Sequence, residues 1–140
     1  MAGFTNAGKE NVLNYAFRAV STPATYKLHL CTSASAPSAD TNTLGDLTEI
    51  SDSYTVASLT PGASHFDSTQ EDDSNDKGII QIHDITFAGP ITNARYCVLT
   101  DDNGTEASRE VLLYWDLASD RSVSSGQNLV LQDLQIELTE

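Results

Sequence analysis

Beyond Pro23, apolar side chains recur at every second position, and that period constrains the fold more than any other feature. In "ATYKLHLCT", Tyr26, Leu28 and Leu30 fall on one side while Lys27, His29 and Cys31 fall on the other. This is the alternation of a half-buried strand. "YTVASLT", "IIQIHDITF", "ARYCVLT", "REVLLYWDL" and "NLVLQDLQIEL" repeat the theme, and "RSVSSGQ" reads as a short strand and turn. Pro61-Gly62, Gly89-Pro90 and Asn103-Gly104 punctuate them with turn chemistry. About seven short strands at such spacing predict an antiparallel β-sandwich, jelly-roll-like in form. Two strands change parity midway. Ile80 and Ile82 give way to Ile85 and Phe87, and Leu129 and Leu131 to Leu134, Ile136 and Leu138. A β-bulge near His83-Asp84, and a second before Leu134, would produce such shifts.

Only the start breaks the pattern. In "FTNAGKENVLNYAFRAV", Val12, Leu13, Ala16, Phe17 and Val20 recur at helical spacing, Thr5 or Asn6 is placed to cap, and Pro23 prevents continuation. The expected organisation is an N-terminal arm and helix over residues 1–22, followed by a sandwich over 23–140, as one all-β domain with a single helix. A chain of 140 residues is long enough to bury its own core. The helix stripe must pack either on that core or on a neighbouring molecule.

Charge narrows the partners. Seven Lys and Arg stand against twenty Asp and Glu, for a net charge of −13. Such a surface repels phosphate backbones, so nucleic acid is not an expected partner. Residues 1–30 nevertheless carry +2 through Lys9, Arg18 and Lys27 against Glu10, while no Lys or Arg occurs from Thr32 to Asp76. The acidic body reads as a solvated face. The N-terminal segment reads as the part that could dock on an acidic partner, with Phe4, Lys9, Leu13, Phe17 and Arg18 as the contact residues; the alternative is that Leu13 and Phe17 pack on the protein's own sheet. No stretch approaches a membrane span and no secretory leader is recognisable near the start, so no membrane partner is expected.

Reactive constellations do not emerge. There is no G-x-S-x-G elbow and no phosphate-binding G-x-x-x-x-G-K-[ST] loop. His29, His65 and His83 lie at no ligand-like spacing, and two separate cysteines, Cys31 and Cys97, lack the pairs a zinc site needs. The cysteines are expected to be buried and reduced. "DSNDKG", Asp73 to Gly78, resembles half of a calcium loop, but Lys77 stands where an oxygen ligand belongs and Asp84 stands at the closing position. A solvated loop is the expectation, a hydrolase built on Asp72 or Asp73 is disfavoured, and neither a cofactor nor catalysis is expected. Tyr96, Tyr114 and Trp115 could form a sugar-stacking platform, although Tyr114 and Trp115 must point to opposite faces of a strand.

The order of these pieces resembles a family of small tailed-bacteriophage virion proteins, described as decoration, cement or minor structural proteins. The resemblance runs through "FTNAGKENVLNYAFR", "TYKLHLCTSASAPSADTNTLGDLTEI", "DITFAGPITNARYCVLTDDNG", "LLYWDL" and "VSSGQNLVL". It implies a β-sandwich without chemistry of its own, made in the host cytoplasm and carried on the capsid surface of the virion. The implied partners are the major capsid protein and further copies of the chain, as a homo-dimer or homo-trimer. A tail- or fibre-associated protein, binding glycans, is the alternative.

Overall fold

In the computed structural model, which describes residues 2–139, ten strands and one helix follow the chain. They are β1 (Ala2–Phe4), α1 (Asn6–Phe17), β2 (Tyr26–Cys31), β3 (Ala57–Leu59), β4 (Gln70–Asp72) and β5 (Lys77–Gln81). β6 (Ile85–Ala88), β7 (Ile91–Thr100), β8 (Val111–Val123), β9 (Asn128–Leu131) and β10 (Gln135–Thr139) complete it. The chain is all-β with an N-terminal helix.

A five-stranded antiparallel sheet in the order β1-β8-β7-β2-β3 forms one layer. The opposing layer consists of a three-stranded sheet, β10-β5-β4, and a two-stranded one, β6-β9. Alternation along β2 drives the packing: Leu28 and Leu30 enter the main core with Cys97, Leu99, Leu113 and Trp115 of the same sheet. Ile82, Ile85, Phe87, Leu131 and Leu134 meet them from the other layer. His29 and Cys31 point to the opposite face, where a smaller cluster of Cys31, Leu44, Val98 and Val111 lies under the long 32–50 loop.

The two parity shifts have a different cause from the bulges expected. At His83-Asp84 the chain leaves one small sheet for the other: β5 pairs with β10, whereas β6 pairs with β9. The shift after Leu131 is the matching crossing, where Asp133 takes a positive φ of 56° and Ile82 N donates to Leu134 O at 2.8 Å. Both strands therefore change sheet together. The polar stretch around residue 70 also contributes a strand, β4, paired with β5 across the turn that follows Asp72.

A bulge does occur between β7 and β8. Leu99 is opposite Leu113 and Thr100 is opposite Val111, which leaves Leu112 as the extra residue. Its carbonyl turns outward and accepts the amide of Thr5 at 3.1 Å. Thr5, fully buried, also donates its hydroxyl to Val111 O and accepts from Gly8 N at 2.9 Å, which makes it the N-cap of α1. A Cβ on Gly8 would sit 2.0 Å from the Leu112 oxygen, so only glycine lets the helix approach this closely.

Candidate functional site

Three places on the molecule gather side chains that packing alone does not use up. They are the outer face of α1, a groove beside the helix, and a buried polar network on the far face of the large sheet.

The helix faces are set by how it is anchored. Since Thr5 and Gly8 lie against β8, Val12 and Tyr15, one and two turns further on, face the body as well. Lys9, Leu13 and Phe17, spaced four apart, form a line on the opposite side. Leu13 is 58% exposed, Phe17 80% and Val20 49%. The helical stripe read from the sequence thus splits: Val12 goes inward, while Leu13, Ala16 and Phe17 point to solvent. Of the two alternatives for Leu13 and Phe17, packing on the protein's own sheet is not what the structure shows. Arg18, the C-cap residue, is exposed, and neither it nor Lys9 joins an ion pair among the described residues. Phe4 differs from the other four candidate contacts. It lies opposite Leu113 in β1 and packs against the main core.

Beside the helix the two layers do not close. A largely apolar groove of about 530 Å³ remains between α1 and the 61–68 segment. Phe4, Leu99 and Leu113 wall it from the large sheet and Ile80 and Ile136 from the small one. Tyr26 and Phe66, at its edge, meet edge to face with ring centroids 6.4 Å apart. Acidic groups act on the two tyrosines that line it. Burial, then Glu110, Asp101 and Asp102, push the Tyr15 hydroxyl above its ordinary value. Burial, then Tyr15 and Asp102, push Tyr26 up to about 12. Asp67 lines the groove itself.

The polar network centres on His29, which is 0% exposed. Its Nδ1 lies 2.6 Å from Glu49 Oε1 and its Nε2 lies 3.1 Å from Arg109 Nη1. A guanidinium can only donate, so Nε2 accepts and the imidazole carries its proton on Nδ1, directed at Glu49. Tyr54 donates to the same Glu49 oxygen at 2.9 Å and accepts the Leu30 amide, and Glu106 completes the group by pairing with Arg109 at 3.3 Å. Burial works to raise the Glu49 carboxyl; hydrogen bonds from His29 and then Tyr54 outweigh it and hold the group below the usual range. His29, Glu49 and Glu106 bring ligand-type atoms within 4.8 Å of one another. Arg109 already supplies the positive charge there, and a cation would have to displace it. Neither imidazole nitrogen is left to take a proton from a substrate. The network is a cross-link that joins β2, the long loop and the segment before β8.

The other candidates resolve into structure. In the acidic loop, Asp72 accepts from Ser74 N at 3.1 Å and Asn75 Nδ2 at 2.8 Å, while Lys77 pairs with Glu137 at 3.0 Å. The Asp72 bonds close the β4–β5 turn, and the Lys77–Glu137 pair ties β5 to β10. Trp115 is buried, donating Nε1–H to Gln135 O at 2.9 Å, and the Tyr114 ring lies against Gly3 of β1. The two therefore make no exposed stacking platform. Cys31 and Cys97 are free and buried, and they face opposite sides of the sheet. Burial, then Glu49, pushes the Cys31 thiol up to about 12. No helix among the described residues is long and apolar enough to cross a membrane.

Sequence reasoning missed the groove and the network. The groove depends on a strand missing from the sequence reading, β1, and on the inward turn of Tyr15. The network joins residues 20 and 80 positions apart. Comparison with protein-family models, curated proteins and solved structures finds no match for this chain.

Proposed function

We propose that the protein is a bacteriophage capsid decoration or cement protein, which binds the outer surface of the assembled shell and stabilises it. One observation carries the reading: a firmly anchored helix presents an apolar line, Leu13 and Phe17, to solvent on a strongly acidic β-sandwich. The His29, Glu49 and Arg109 cluster is engaged in tying the long loop to β2. The resemblance of the sequence to small virion proteins supports the same reading.

Adhesion of this kind works by mass action. A protein that binds the assembled lattice and not the separated subunits stabilises the lattice in proportion to its occupancy. Because Thr5 and Gly8 fix α1 to β8, its outer face is presented with little ordering cost on contact. Repetition around a symmetric shell adds avidity.

Co-sedimentation with assembled shells tests the reading. The wild type pellets with shells, whereas a Leu13→Ser, Phe17→Ser double variant with unchanged circular dichroism stays in the supernatant. Undiminished pelleting of that variant would remove the helix from the interface. Truncation of residues 1–20 is a poorer test, because it also takes away the wall that Val12 and Tyr15 give the groove. Mass spectrometry of purified particles separates shell from tail. On the order of hundreds of copies per particle mark a shell component, about a dozen mark a tail component, and absence rejects both.

A further inference from the structure

We propose that the groove beside α1 binds a small organic ammonium ion with an apolar body, an alkyl- or arylamine in its protonated form or a quaternary analogue. The groove is walled by Val12 and Tyr15, on the side of α1 away from Leu13 and Phe17, so this site is separate from the shell-binding line and does not depend on it.

Aromatic rings gather here. Phe4, Tyr15, Tyr26 and Phe66, four of the chain's nine Phe and Tyr side chains, line one groove. All four are half-buried, so each keeps part of its surface open. The planes of Tyr26 and Phe66 stand at 81° to one another and make an aromatic corner. The electron-rich faces of such rings attract cations, and alkylated ammonium groups, which shed water easily, suit them best.

The charge around the rings has one sign. No Lys, Arg or His lines the groove, whereas Asp67 does. Its Oδ1 lies 3.0 Å from His83 Nε2, and its Oδ2 takes no hydrogen bond among the described residues. Two further carboxylates stand directly behind the lining. Glu110 accepts from Asn11 Nδ2 at 2.8 Å, and Asp102 accepts the amide of Thr25, the neighbour of Tyr26, at 3.1 Å. An anionic apolar ligand, such as a fatty acid, would meet like charge at each of these points.

The floor narrows the class further. Leu99 and Leu113, 3% and 4% exposed, and Ile80 and Ile136 beside them offer no oxygen ligands, so a hydrated metal ion has nothing to replace its water. A ligand must therefore carry an apolar body to cover the floor as well as a cation for the rings and carboxylates. About 530 Å³ is in the range of pockets that take small organic molecules.

Calorimetric titration of the full chain with three ligands of one shape tests the proposal: phenylbutylammonium, phenylbutanol and phenylbutanoate. The ammonium ion should bind with a Kd of about 100 μM or tighter, the alcohol about tenfold more weakly and the carboxylate more weakly still. Ala63→Trp, which fills the groove from an exposed position in its wall, should abolish binding of all three. Tyr26→Leu should weaken the ammonium ion about tenfold and the alcohol by less. Asp67→Asn should weaken the ammonium ion about fivefold and leave the alcohol unchanged, a split that mere loosening of the groove would not give. Far-ultraviolet circular dichroism checks that each variant is folded, and Tyr15→Leu substitutes for Tyr26→Leu if the latter is not. Absence of ammonium binding at about 5 mM overturns the proposal. So does a wild type that takes the alcohol as tightly as the ammonium ion, binding that survives Ala63→Trp, or an Asp67→Asn variant that loses both ligands equally. A groove that holds a lysine-bearing apolar peptide but none of the small ions would overturn it as well, since its occupant would then be a protein arm.

Discussion

The two faces of the five-stranded sheet are built by different means. One face meets other strands, and the fit is between apolar side chains: Leu30, Leu99 and Trp115 against Ile82, Phe87 and Leu131. The other face meets the 32–50 loop, which is held by isolated backbone bridges, a small cluster around Leu44 and a polar cross-link of His29, Glu49 and Arg109. Both faces are served by the same strand, β2, through alternate residues. Burial of apolar area is non-directional and tolerates repacking, whereas a buried polar group costs free energy unless each of its hydrogen-bonding atoms is met. The loop face is therefore the more brittle in geometry, though smaller in total burial. A change on the strand face should weaken the whole molecule, and one on the loop face should release a segment.

The largest effect is expected on the strand face. Phe87→Ala empties a site 1% exposed and should cost about 3–5 kcal/mol in a chemical-denaturation experiment, with all probes shifting together. A loss under about 1 kcal/mol would mean that the layers are not packed as described.

His29→Ala comes next. It leaves Glu49 and Arg109 without their shared partner; since Glu49 is 26% and Arg109 13% exposed, water softens the loss to about 2 kcal/mol. The distinguishing readout is hydrogen exchange. Amides of the 32–50 loop should lose protection while those of β7 and β8 keep theirs. Uniform loss over both would erase the contrast between the faces.

Glu49→Gln should cost less, about 1 kcal/mol at neutral pH, and it sharpens the comparison through acid. The folded carboxyl lies below its ordinary value of 4.5, so ionised Glu49 stabilises the fold above that pH. The contribution is lost as pH falls from 4.5 through the lower folded value. The wild type should thus lose stability over that acid window, and the variant should lose less of it. Equal acid sensitivity of the two would show that Glu49 does not report on the loop face.

The smallest effect belongs to the surface that neither face uses. Phe17→Ser, at 80% exposure, should change stability by less than about 0.5 kcal/mol while changing association. A large stability loss would place the ring in the core after all.

How much of this could be read in advance varies with the reach of each signal. Strands β2, β6, β7 and β8 were legible because alternation is a local property of about six to ten residues. The helix was legible for the same reason, as was its cap; its end was not, because the helix stops at Phe17, with Ala19 at a positive φ of 54°, well short of Pro23. Its orientation was not. Val12 and Leu13 are equivalent in an apolar stripe, and a bulge at Leu112 with a glycine at position 8 decides which faces the body. The parity shifts at Ile82–Ile85 and Leu131–Leu134 were visible, yet a bulge and a change of sheet give the same pattern until the pairing partner is known. For the site, Lys9, Leu13, Phe17 and Arg18 were named from charge and spacing and are exposed, while Phe4 is committed to the core.

The sequence by itself determined that this chain forms strands after a single helix, since side-chain period and turn residues act over short distances. It also determined the division of charge between a basic start and an acidic body. Only the tertiary structure decided which side of the helix meets water, where the layers stay open, and that His29, Glu49 and Arg109 share one set of protons. Those outcomes depend on contacts between residues far apart along the chain, and such contacts leave no periodic trace in it.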